Sequence, residues 1–507
     1  MFSFIDNFLN RITMYRLVLY VLMALIAAAA VLGFFGYLPY GPVEIIYSAI
    51  FITITCWIFN TIAAWAFDAP TNVESVYITA LILALIIAPV KTVGAQYFAF
   101  IFWASAWAIV SKYFIAIGKK HIFNPAAFAV ALTAMTISQS ANWWVGTAAM
   151  LPFAAIGGFL IVRKIKRADL VWSFFITAAI SVFGFALSRG ESFSLATNHF
   201  LLNSPLVFFA TVMLTEPLTT PPTRGRRIFY GALVGFLFAP QTHIGSLYFT
   251  PELALLAGNI FSYLASPKQK LVLELEKKVK LAPAIFDFVF RPNKQIKFKP
   301  GQYLEWTLEH AGADSRGNRR YFTIASSPTE RRLVLGVKFY EPPSSFKQAL
   351  WQLNPGDKII ASQLAGDFTL PKNRSKKLVF MAGGIGITPF RSMVKYLLDR
   401  NESRPITVFY SGRSAEDIVY DDVFESAADK LGIKTIYTIT DPAANPQWQG
   451  ARGLITEQTI AREVPDYYDR IFYLSGPRSM VTGFEKTLEN MGVGKSSIKT
   501  DYFPGFA

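Results

Sequence analysis

The chain has 507 residues, of which 52% are hydrophobic, and its mean hydropathy is +0.34. These values exclude an ordinary soluble protein, and the length predicts more than one domain. Nearly all long apolar runs lie between residues 15 and 266, whereas the sequence from residue 268 onward has the composition of a soluble α/β protein. We therefore expect a multi-domain protein in which a polytopic α-helical membrane domain over 1–267 precedes a soluble half.

The net charge is +15, from 49 Lys and Arg against 34 Asp and Glu. Nucleic-acid binding would be one interpretation of this balance, but the basic residues outside the soluble half cluster in short loops between apolar segments, as membrane topology requires. We therefore expect no nucleic-acid partner. The single cysteine, Cys56, lies in an apolar run. One cysteine excludes an intrachain disulfide and an iron–sulfur cluster held by four thiolates of this chain.

Ten apolar segments approach the roughly 20-residue length of a spanning helix. The first lacks a small-residue cleavage site, which favours an uncleaved anchor over a signal peptide. The segments are 15–35, 43–67, 75–90, 94–116, 122–138, 144–162, 169–187, 201–214, 227–240 and 250–266.

Loop charges predict the orientation of these segments. If the N-terminus is inside, only Lys91 and Arg189 fall on the outer side. This positive-inside bias predicts a multi-pass protein of the cell (inner) membrane, with the N-terminus and the soluble half in the cytoplasm. The inner loops carry Arg11, Arg16, Lys119, Lys120, Arg163, Lys164, Lys166, Arg167, Arg224, Arg226, Arg227, Lys268 and Lys270.

Two polar stretches stand out in the membrane half. Asn124-Pro125 combines a capping side chain with a preset φ, and this pair is either a plain helix start or part of a site. The stretch from 215 to 227 places a carboxylate and hydroxyls beside arginines. It can bind a phosphate or a flavin, or it is a polar cytoplasmic loop. The candidate ligands of a membrane flavin are Asn124, Thr215, Glu216, Thr219 and Arg224.

The soluble half begins with short strands separated by turn signals, which predicts a small antiparallel barrel. The run Pro342-Pro343-Ser344-Ser345-Phe346 then opens a short helix through Leu350. Ser344 and Ser345 stand at its start, either as an anion site or as simple caps. The predicted strands are Leu271–Leu275, Phe286–Arg291, Gln302–Leu308, Arg320–Ala325, Leu333–Tyr340 and Lys358–Ala361.

One of these strands runs into a turn as Arg-Tyr-Phe-Thr-Ile-Ala-Ser-Ser-Pro over 320–328. Its guanidinium can hold a pyrophosphate with a fork of donors, its aromatic residues can stack on a ring, and its hydroxyls can donate to ring nitrogens. The pattern is suited to a flavin, although it is also compatible with an ordinary strand that carries a surface arginine. The candidate residues are Arg320, Tyr321, Phe322, Thr323 and Ser326.

From Leu378 strands alternate with helices, which predicts a parallel sheet with a nucleotide at its carboxyl edge. A glycine-rich turn after the first strand lets the backbone approach a pyrophosphate, but alone it is a weak signal. Its residues are Gly383, Gly384, Gly386, Thr388 and Pro389. The elements are strand Leu378–Ala382, helix Pro389–Asp399, strand Ile406–Tyr410, helix Asp421–Leu431, strand Thr435–Ile439, helix Thr456–Ala461, strand Arg470–Leu474 and helix Ser479–Met491.

The order of motifs in the soluble half resembles the ferredoxin–NADP reductase superfamily, and the sequence Ser475-Gly476-Pro477 completes it. The resemblance implies an FAD-binding β-barrel domain over 268–372 and an NAD(P)-binding α/β domain over 373–507. It implies that Arg320 holds the FAD pyrophosphate, that Phe322 stacks on the ring and that Ser345 binds flavin phosphate. It also implies catalytic roles for Thr323, which contacts the reactive flavin nitrogen, and for Ser475.

The same resemblance leaves several positions open. Ser475 stands where the family often has Cys, and Phe322 stands where it has Tyr. Gly476 and Pro477 are expected beside the nicotinamide. Ser411 and Arg413 follow the second strand and can meet a 2′-phosphate, which leaves NADH and NADPH both open. The aromatic tail, through Phe503 or Phe506, can cover the flavin or end without order.

The membrane half resembles the family that contains the B subunit of the sodium-pumping NADH:quinone reductase and the D subunit of the Rnf complex. The resemblance rests on Asn124-Pro125-Ala126, on Gly157-Gly158 and on Thr215-Glu216-Pro217 with the arginines and glycines that follow. It implies ten spanning helices and a flavin. The family's Ser-Gly-Ala-Thr motif is missing, because Ser194-Leu195-Ala196-Thr197 lacks the glycine and lies too late. We therefore expect no phosphoester-linked flavin, which leaves a noncovalent FMN or riboflavin in the membrane domain open.

These features predict a membrane-bound flavoprotein that oxidises cytoplasmic NADH or NADPH through FAD and passes electrons into or across the membrane. The acceptor is a quinone, a flavin or an extracytoplasmic flavoprotein or other redox partner. The alternative is a redox-coupled Na⁺ or H⁺ translocating subunit of a larger complex, although Glu44, Glu216 and Glu252 all lie near segment ends. No metal site is expected, because the four histidines are poorly placed for a two-haem stack.

Overall fold

A computed structural model describes residues 3–10, 12–67, 73–90, 95–117, 120–265, 271–314, 318–441, 443, 445 and 447–501. The chain divides into two compact units, Met1–Lys268 and Gln269–Ala507. We call them the membrane unit and the reductase unit, after what the sequence predicts for each, and describe each by itself.

The membrane unit is helical, with two short hairpins. The hairpins pair β1 (Ala116–Ile117) with β2 (Lys120–His121) and β3 (His243–Ile244) with β4 (Leu247–Tyr248). The helices are α1 (Ser3–Asn10), α2 (Met14–Phe34), α3 (Pro42–Ala66), α4 (Val73–Ile86), α5 (Ala95–Phe114), α6 (Pro125–Ile137), α7 (Leu151–Ile165), α8 (Ala168–Ser188), α9 (Phe193–Leu201), α10 (Leu206–Phe208) continuing as a π-helix over Phe209–Met213, α11 (Arg224–Leu237) and α12 (Pro251–Ala265).

Four helices within the described residues are long and apolar enough to cross a membrane, namely α2, α3, α5 and α8. A fifth span is possible if α9 and the segment Leu206–Met213, which meet at a 53° bend, count as one. In each of the four, only 28–44% of the span is buried within the unit. The remaining apolar surface needs a lipid environment, because water would not solvate it favourably. The region is therefore that of a membrane protein.

Each of the ten predicted segments contains a helix, but several helices are shorter than a full span. Helix α6 has 13 residues because Asn124 caps its start, Pro125 opens it and Ser138 ends it in a left-handed conformation with φ 55°. Helices α4 and α11 have 14 residues each. The count of ten spanning helices therefore stays a prediction.

The reductase unit contains two six-stranded sheets. The first is antiparallel, with strand order β8-β7-β10-β5-β6-β9, and we call it with α13 (Ser345–Gln352) the antiparallel lobe. Its edge strands approach each other where the Ala325 amide donates to the Val334 carbonyl at 2.9 Å. Closure into a barrel stays a prediction. The strands are β5 (Leu271–Ala282), β6 (Ile285–Pro292), β7 (Tyr303–Thr307), β8 (Arg319–Thr323), β9 (Leu333–Lys338) and β10 (Lys358–Ala365).

The second sheet is parallel, with order β14-β13-β12-β11-β15-β16, and with its helices it forms the parallel lobe. Buried apolar side chains cover both faces, as a parallel sheet requires. Strands β14 and β16 were not predicted, because they are short and weakly apolar. The elements are β11 (Leu378–Gly383), α14 (Thr388–Asp399), β12 (Ile406–Gly412), α15 (Asp421–Leu431), β13 (Lys434–Ile439), β14 (Ala451–Arg452), α16 (Glu457–Glu463), β15 (Ile471–Ser475), α17 (Arg478–Asn490) and β16 (Ile498–Asp501).

Strand order fixes where a ligand of the parallel lobe can bind. From β11 the chain moves outward through β12 and β13 to β14, and then returns to place β15 on the other side of β11. The order reverses at β11, and ligands of such sheets bind at the carboxyl ends of the strands beside that reversal. The residues after β11 and β15 therefore mark the expected site.

Candidate flavin and nucleotide sites

One face of β8 carries a cation and an aromatic ring. Arg320 and Phe322 are two positions apart, so they point to the same side of the strand. Both lie against Phe346 of α13: the Arg320 guanidinium carbon is 5.3 Å from the ring centroid, and the Phe322 centroid is 5.9 Å away. The guanidinium and the aromatic ring thus lie side by side on one face of the strand. A ligand that joins a phosphate to a flat ring system could contact both.

Arg320 is held beside the start of α13. Its side chain is 4% exposed, and Nη2 donates to both carboxylate oxygens of Asp314 at 3.0 and 3.2 Å. The Ser345 hydroxyl accepts a hydrogen bond from the Asp314 amide at 2.9 Å and lies 3.0 Å from His310 Nε2. Ser344 caps the helix by accepting from the Lys347 amide. Arg320 therefore binds the Asp314 carboxylate, and Ser345 at the start of α13 binds the backbone amide of the same residue.

Two other candidates of the flavin motif make different contacts. The Tyr321 hydroxyl donates to Glu305 Oε2 at 2.8 Å, on the opposite face of β8. Ser326 is fully buried, and its hydroxyl accepts a hydrogen bond from the Val334 amide at 3.0 Å. Ser326 thus fixes the turn after β8 to β9. Neither of these two hydrogen bonds involves Arg320.

The two predicted catalytic residues meet through a third. The Thr323 hydroxyl, at the end of β8, donates to Asp501 Oδ2 at 3.1 Å. Asp501 ends β16 and is the register partner of Ser475, the last residue of β15. Asp501 was not predicted as part of a site, because its proximity to Thr323 depends on the register of β16, a strand that was not predicted either. Phe503 and Phe506 lie outside the described residues.

The glycine-rich turn packs tightly against the end of β15. A Cβ on Gly386 would lie 2.5 Å from the Ser475 carbonyl oxygen, and one on Gly383 would lie 2.3 Å from Met480 Sδ. Gly384 has φ +51° and faces open space, with nothing within 4 Å of a Cβ. Gly383 and Gly386 therefore fix the turn against the end of β15, and Gly384 presents bare backbone that a pyrophosphate can approach.

The remaining turn residues begin α14. Thr388 is its first residue, Pro389 stands in its first turn, and Pro477 caps α17. Ser411 pairs with Gly383 and Thr438 near the carboxyl end of β12. These residues lie near the carboxyl edge of the parallel sheet, and their role in a nucleotide site stays a prediction.

Arg413 lies at the same edge but points into solvent. Its side chain is 83% exposed, and Nε is 3.9 Å from Asp441 Oδ2. The Arg413 amide donates to Asp417 Oδ2 at 3.1 Å. The geometry leaves the choice between NADH and NADPH open.

A polar cluster lies in the membrane unit at the end of the π-helix. Glu216 Oε2 accepts hydrogen bonds from Asn124 Nδ2 at 3.0 Å and from the Thr219 hydroxyl at 3.1 Å. His121 Nε2 lies 2.9 Å from Glu216 Oε1. The Asn124 amide donates to Asn259 Oδ1 at 2.8 Å. Residues from several segments therefore meet at one carboxylate, and His121 and Asn259 are members that the sequence did not assign.

The other two membrane candidates have different surroundings. The Thr215 hydroxyl donates to the Thr211 carbonyl at 2.7 Å within its own helix turn. Arg224 is exposed at the first residue of α11. Among the described residues there is no group of three or more His, Cys, Asp or Glu side chains that would hold a metal ion.

Comparison with known proteins identifies the reductase unit. Residues 380–486 match the family model described as the oxidoreductase NAD-binding domain. The F subunit of the Na⁺-translocating NADH-quinone reductase of Klebsiella pneumoniae is 31% identical over 200 residues, which are 37% of this chain and 49% of that protein. The corresponding Yersinia pestis protein is 30% identical over the same shares. The chain thus spans about half the length of these curated relatives.

Solved structures give weaker likenesses. An Amycolatopsis cytochrome P450 reductase is 22% identical, with a TM-score of 0.42 over 47% of this chain and 70% of that one. The FAD/NAD-binding domain of a Vibrio cholerae nitric oxide dioxygenase is 22% identical, with a TM-score of 0.41 over 46% and 97%. Likenesses at this level add nothing to the assignment. Residues 380–486 therefore match an oxidoreductase NAD-binding domain, and 200 residues of this chain are similar to part of NADH-quinone reductase F subunits.

Proposed function

We propose that this chain is an NAD(P)H-dependent flavoprotein oxidoreductase that passes electrons from a cytoplasmic nucleotide into or across the membrane. The observation that carries this proposal is the meeting of Thr323, Asp501 and Ser475, which joins the end of β8 to the nucleotide edge of the parallel sheet. The family match over 380–486 and the NADH-quinone reductase relatives support the same function.

The residues present fit a bound FAD. Arg320, which already pairs with the Asp314 carboxylate, and the N-terminus of α13, which contacts the same residue, would hold the pyrophosphate. Phe322 would present its ring to the flavin. When bound, FAD supplies the two-electron acceptance and the one-electron release that this reaction needs.

The protein would orient both cofactors and would fix the direction of the Thr323 hydroxyl where they meet. The bare backbone of Gly384 would admit the pyrophosphate of NAD(P)H at the start of α14, while Gly383 and Gly386 would hold the turn against the end of β15. Thr323 would hold its hydroxyl toward the flavin while Asp501 fixes its orientation. Ser475, buried to 3% exposure, would line the path to the nicotinamide and exclude water from it.

The route beyond FAD belongs to the membrane unit. We place a noncovalent FMN or riboflavin, or a quinone, near the Glu216 cluster, because buried polar groups and a π-helix occur together there. With Cys56 as its single cysteine, this chain cannot relay electrons through an iron–sulfur cluster on four of its own thiolates. The acceptor is then a quinone, a flavin or an extracytoplasmic flavoprotein, and the N-terminus and the reductase unit would be cytoplasmic.

The direct test is anaerobic reduction of the full chain in detergent. Flavin absorbance would be followed after addition of NADH or NADPH, and the flavins would then be extracted and counted with and without acid precipitation. We expect one releasable FAD that bleaches on addition of one of the two nucleotides. A preparation that binds no FAD, or holds FAD that neither nucleotide reduces, would overturn the proposal.

A second candidate function is redox-coupled translocation of Na⁺ or H⁺. The observation that favours it is the His121–Glu216 pair, because ionisable pairs inside membrane proteins commonly mark ion paths. Ion uptake into sealed vesicles during NADH oxidation would support this function. Steady turnover without uptake would rule it out for this chain alone.

A further inference from the structure

The segment that follows β8 is hydrogen-bonded along α14, the helix that begins at the glycine-rich turn. The Ser392 hydroxyl donates to the Ser326 carbonyl at 2.6 Å, and Arg391 Nη1 donates to the Ala325 carbonyl at 3.1 Å. Arg391 also donates to both carboxylate oxygens of Glu330, from Nη1 to Oε2 and from Nη2 to Oε1 at 3.0 Å. The segment after β8 is therefore joined to α14 by a continuous row of hydrogen bonds.

A second contact joins β6 to the residue before α15. The Tyr420 hydroxyl donates to Asp287 Oδ1 at 2.5 Å, and both residues are buried. Gly336 pairs with Asp287 in the sheet, and a Cβ there would lie 2.7 Å from the Tyr420 oxygen and 2.8 Å from Thr388 Cγ2. Tyr420 has φ +62°, which is uncommon for a residue with a side chain. The glycine thus leaves room for two side chains of the parallel lobe.

The two contacts form one cluster. The Arg391 guanidinium carbon lies 5.7 Å from the centroid of the Tyr420 ring. We call Asp287, Glu330, Arg391 and Tyr420 the interlobe cluster, because the first two belong to the antiparallel lobe and the last two to the parallel lobe. All four side chains are largely buried, and each is bonded within the cluster.

Net stability is a poor explanation for such a cluster. Burying charges costs desolvation energy, and apolar side chains of the same size often hold an interface equally well. A bidentate arginine pair and a tyrosine–carboxylate bond instead fix direction and distance. Direction matters here because hydride transfer depends on reacting atoms held within a fraction of an ångström.

We propose that Asp287, Glu330, Arg391 and Tyr420 are positioning residues for flavin reduction. They hold α14, and with it the glycine-rich turn, at a fixed place relative to β8. The nicotinamide then reaches the flavin in a reactive orientation without any of the four contacting either cofactor. This inference rests on the proposed function, in which β8 binds FAD and the turn binds NAD(P)H.

The cluster also has a titration that can report on its role. The pKa of Asp287 is raised to about 6, chiefly by burial and also by the charge of Glu330, while the Tyr420 hydrogen bond and Arg391 act to lower it. Tyr410 on β12 is the other titratable neighbour of Tyr420. The ionised carboxylate binds the tyrosine hydroxyl more strongly than the neutral acid does. The rate of flavin reduction should therefore fall as the pH drops through about 6.

The test uses the full chain in detergent, with FAD content, nucleotide affinity and single-turnover flavin reduction measured separately. Tyr420→Phe deletes one hydroxyl, and Tyr468→Phe, at a tyrosine that is 65% exposed, is the matched control. We expect Tyr420→Phe to slow reduction at saturating nucleotide by about tenfold. FAD content and nucleotide affinity should stay within about twofold, and the control should match the wild type.

Asp287→Asn supplies an independent readout, because an amide mimics the neutral acid. Its rate at pH 8 should equal that of the wild type at pH 5, and the inflection near pH 6 should disappear. A reduction rate that is unchanged in both variants, with or without lower thermal stability, would overturn the inference and leave a merely structural cluster. A wild-type protein that holds no reducible FAD would instead overturn the proposed function.

Discussion

Among single residues, Arg320 is the one on which we propose that flavin binding depends most. Its guanidinium is almost fully buried and already engages an anion beside a helix N-terminus. Removing it would take away a charge-assisted contact that a pyrophosphate cannot recover from a surface lysine.

We therefore predict that Arg320→Ala weakens FAD binding by about 2 kcal/mol, or roughly 30-fold. The measurement is FAD retention on gel filtration, followed by titration of the apoprotein with FAD. Arg331→Ala is the matched control, because Arg331 is an exposed arginine of the same lobe. Equal FAD retention in both variants would remove Arg320 from the site.

A second residue, Asp287, links pH to stability. Burial raises its pKa to about 6 in the folded state, above its ordinary value of 3.8. The folded state then binds more protons than the unfolded state between these two values. The contribution of this group to stability is therefore full below about pH 4 and is lost as the pH rises through about 6.

Asp287→Asn should remove this dependence. As the pH rises from about 4 to 7, the thermal unfolding temperature of the wild type should fall relative to that of Asp287→Asn. The lost stability should amount to about 3 kcal/mol at most. The transition would be followed by flavin fluorescence. A difference that is constant with pH would show that Asp287 titrates normally.

Among the structural elements, the glycine-rich turn is constrained by the strand beside it. A Cβ on Gly386 would meet the backbone oxygen of Ser475 at 2.5 Å, and backbone cannot move aside as a flexible side chain can. The Gly386→Ala variant should raise the KM for the nucleotide by at least about tenfold while FAD stays bound.

Gly483 provides the control for this element. It lies inside α17 with nothing within 4 Å of a Cβ, so Gly483→Ala should leave the KM unchanged and slightly favour the helix. Steady-state kinetics with NADH and NADPH would compare the two variants. If both alanines behave alike, the turn does not carry the nucleotide site.

Much of this element layout followed from sequence pattern. Helix Asp421–Leu431 was predicted with the bounds it has, and the strands at Leu378 and Ile406 begin as predicted. Their strong periodicity and clear turn signals explain that success. Strand β5 is longer than predicted because its second half, 277–282, carries three lysines without regular alternation, which hides a strand that pairs along its length with β6.

Contacts between distant elements could not be predicted in the same way. The Thr323–Asp501 bond joins residues 178 positions apart, and the Tyr420–Asp287 bond joins residues 133 apart. Neither pair has a local signature, because each depends on the register of strands that are set by the whole sheet. The Glu216 cluster was predicted only in part, because Asn259 lies in a predicted segment with no motif around it.

For the molecule as a whole, we predict that reduction of FAD and onward transfer can be separated. Glu216→Gln removes the charge on which Asn124, Thr219 and His121 converge. We expect this variant to keep FAD reduction by nucleotide within about twofold and to lose roughly 90% of transfer to the membrane acceptor, an order-of-magnitude effect of disturbing a buried polar network. Glu191→Gln, at an exposed acidic residue, is the control.

Electrons taken from the nucleotide should leave the chain through the membrane unit. This route is tested by anaerobic NADH or NADPH oxidation by the full chain in sealed vesicles, with either quinone in the bilayer or a membrane-impermeant oxidant trapped inside. We predict turnover beyond one equivalent of FAD with at least one of these acceptors and none without them. Reduction of FAD that never proceeds past one equivalent with either acceptor, while an external soluble oxidant sustains rapid turnover, would contradict this route.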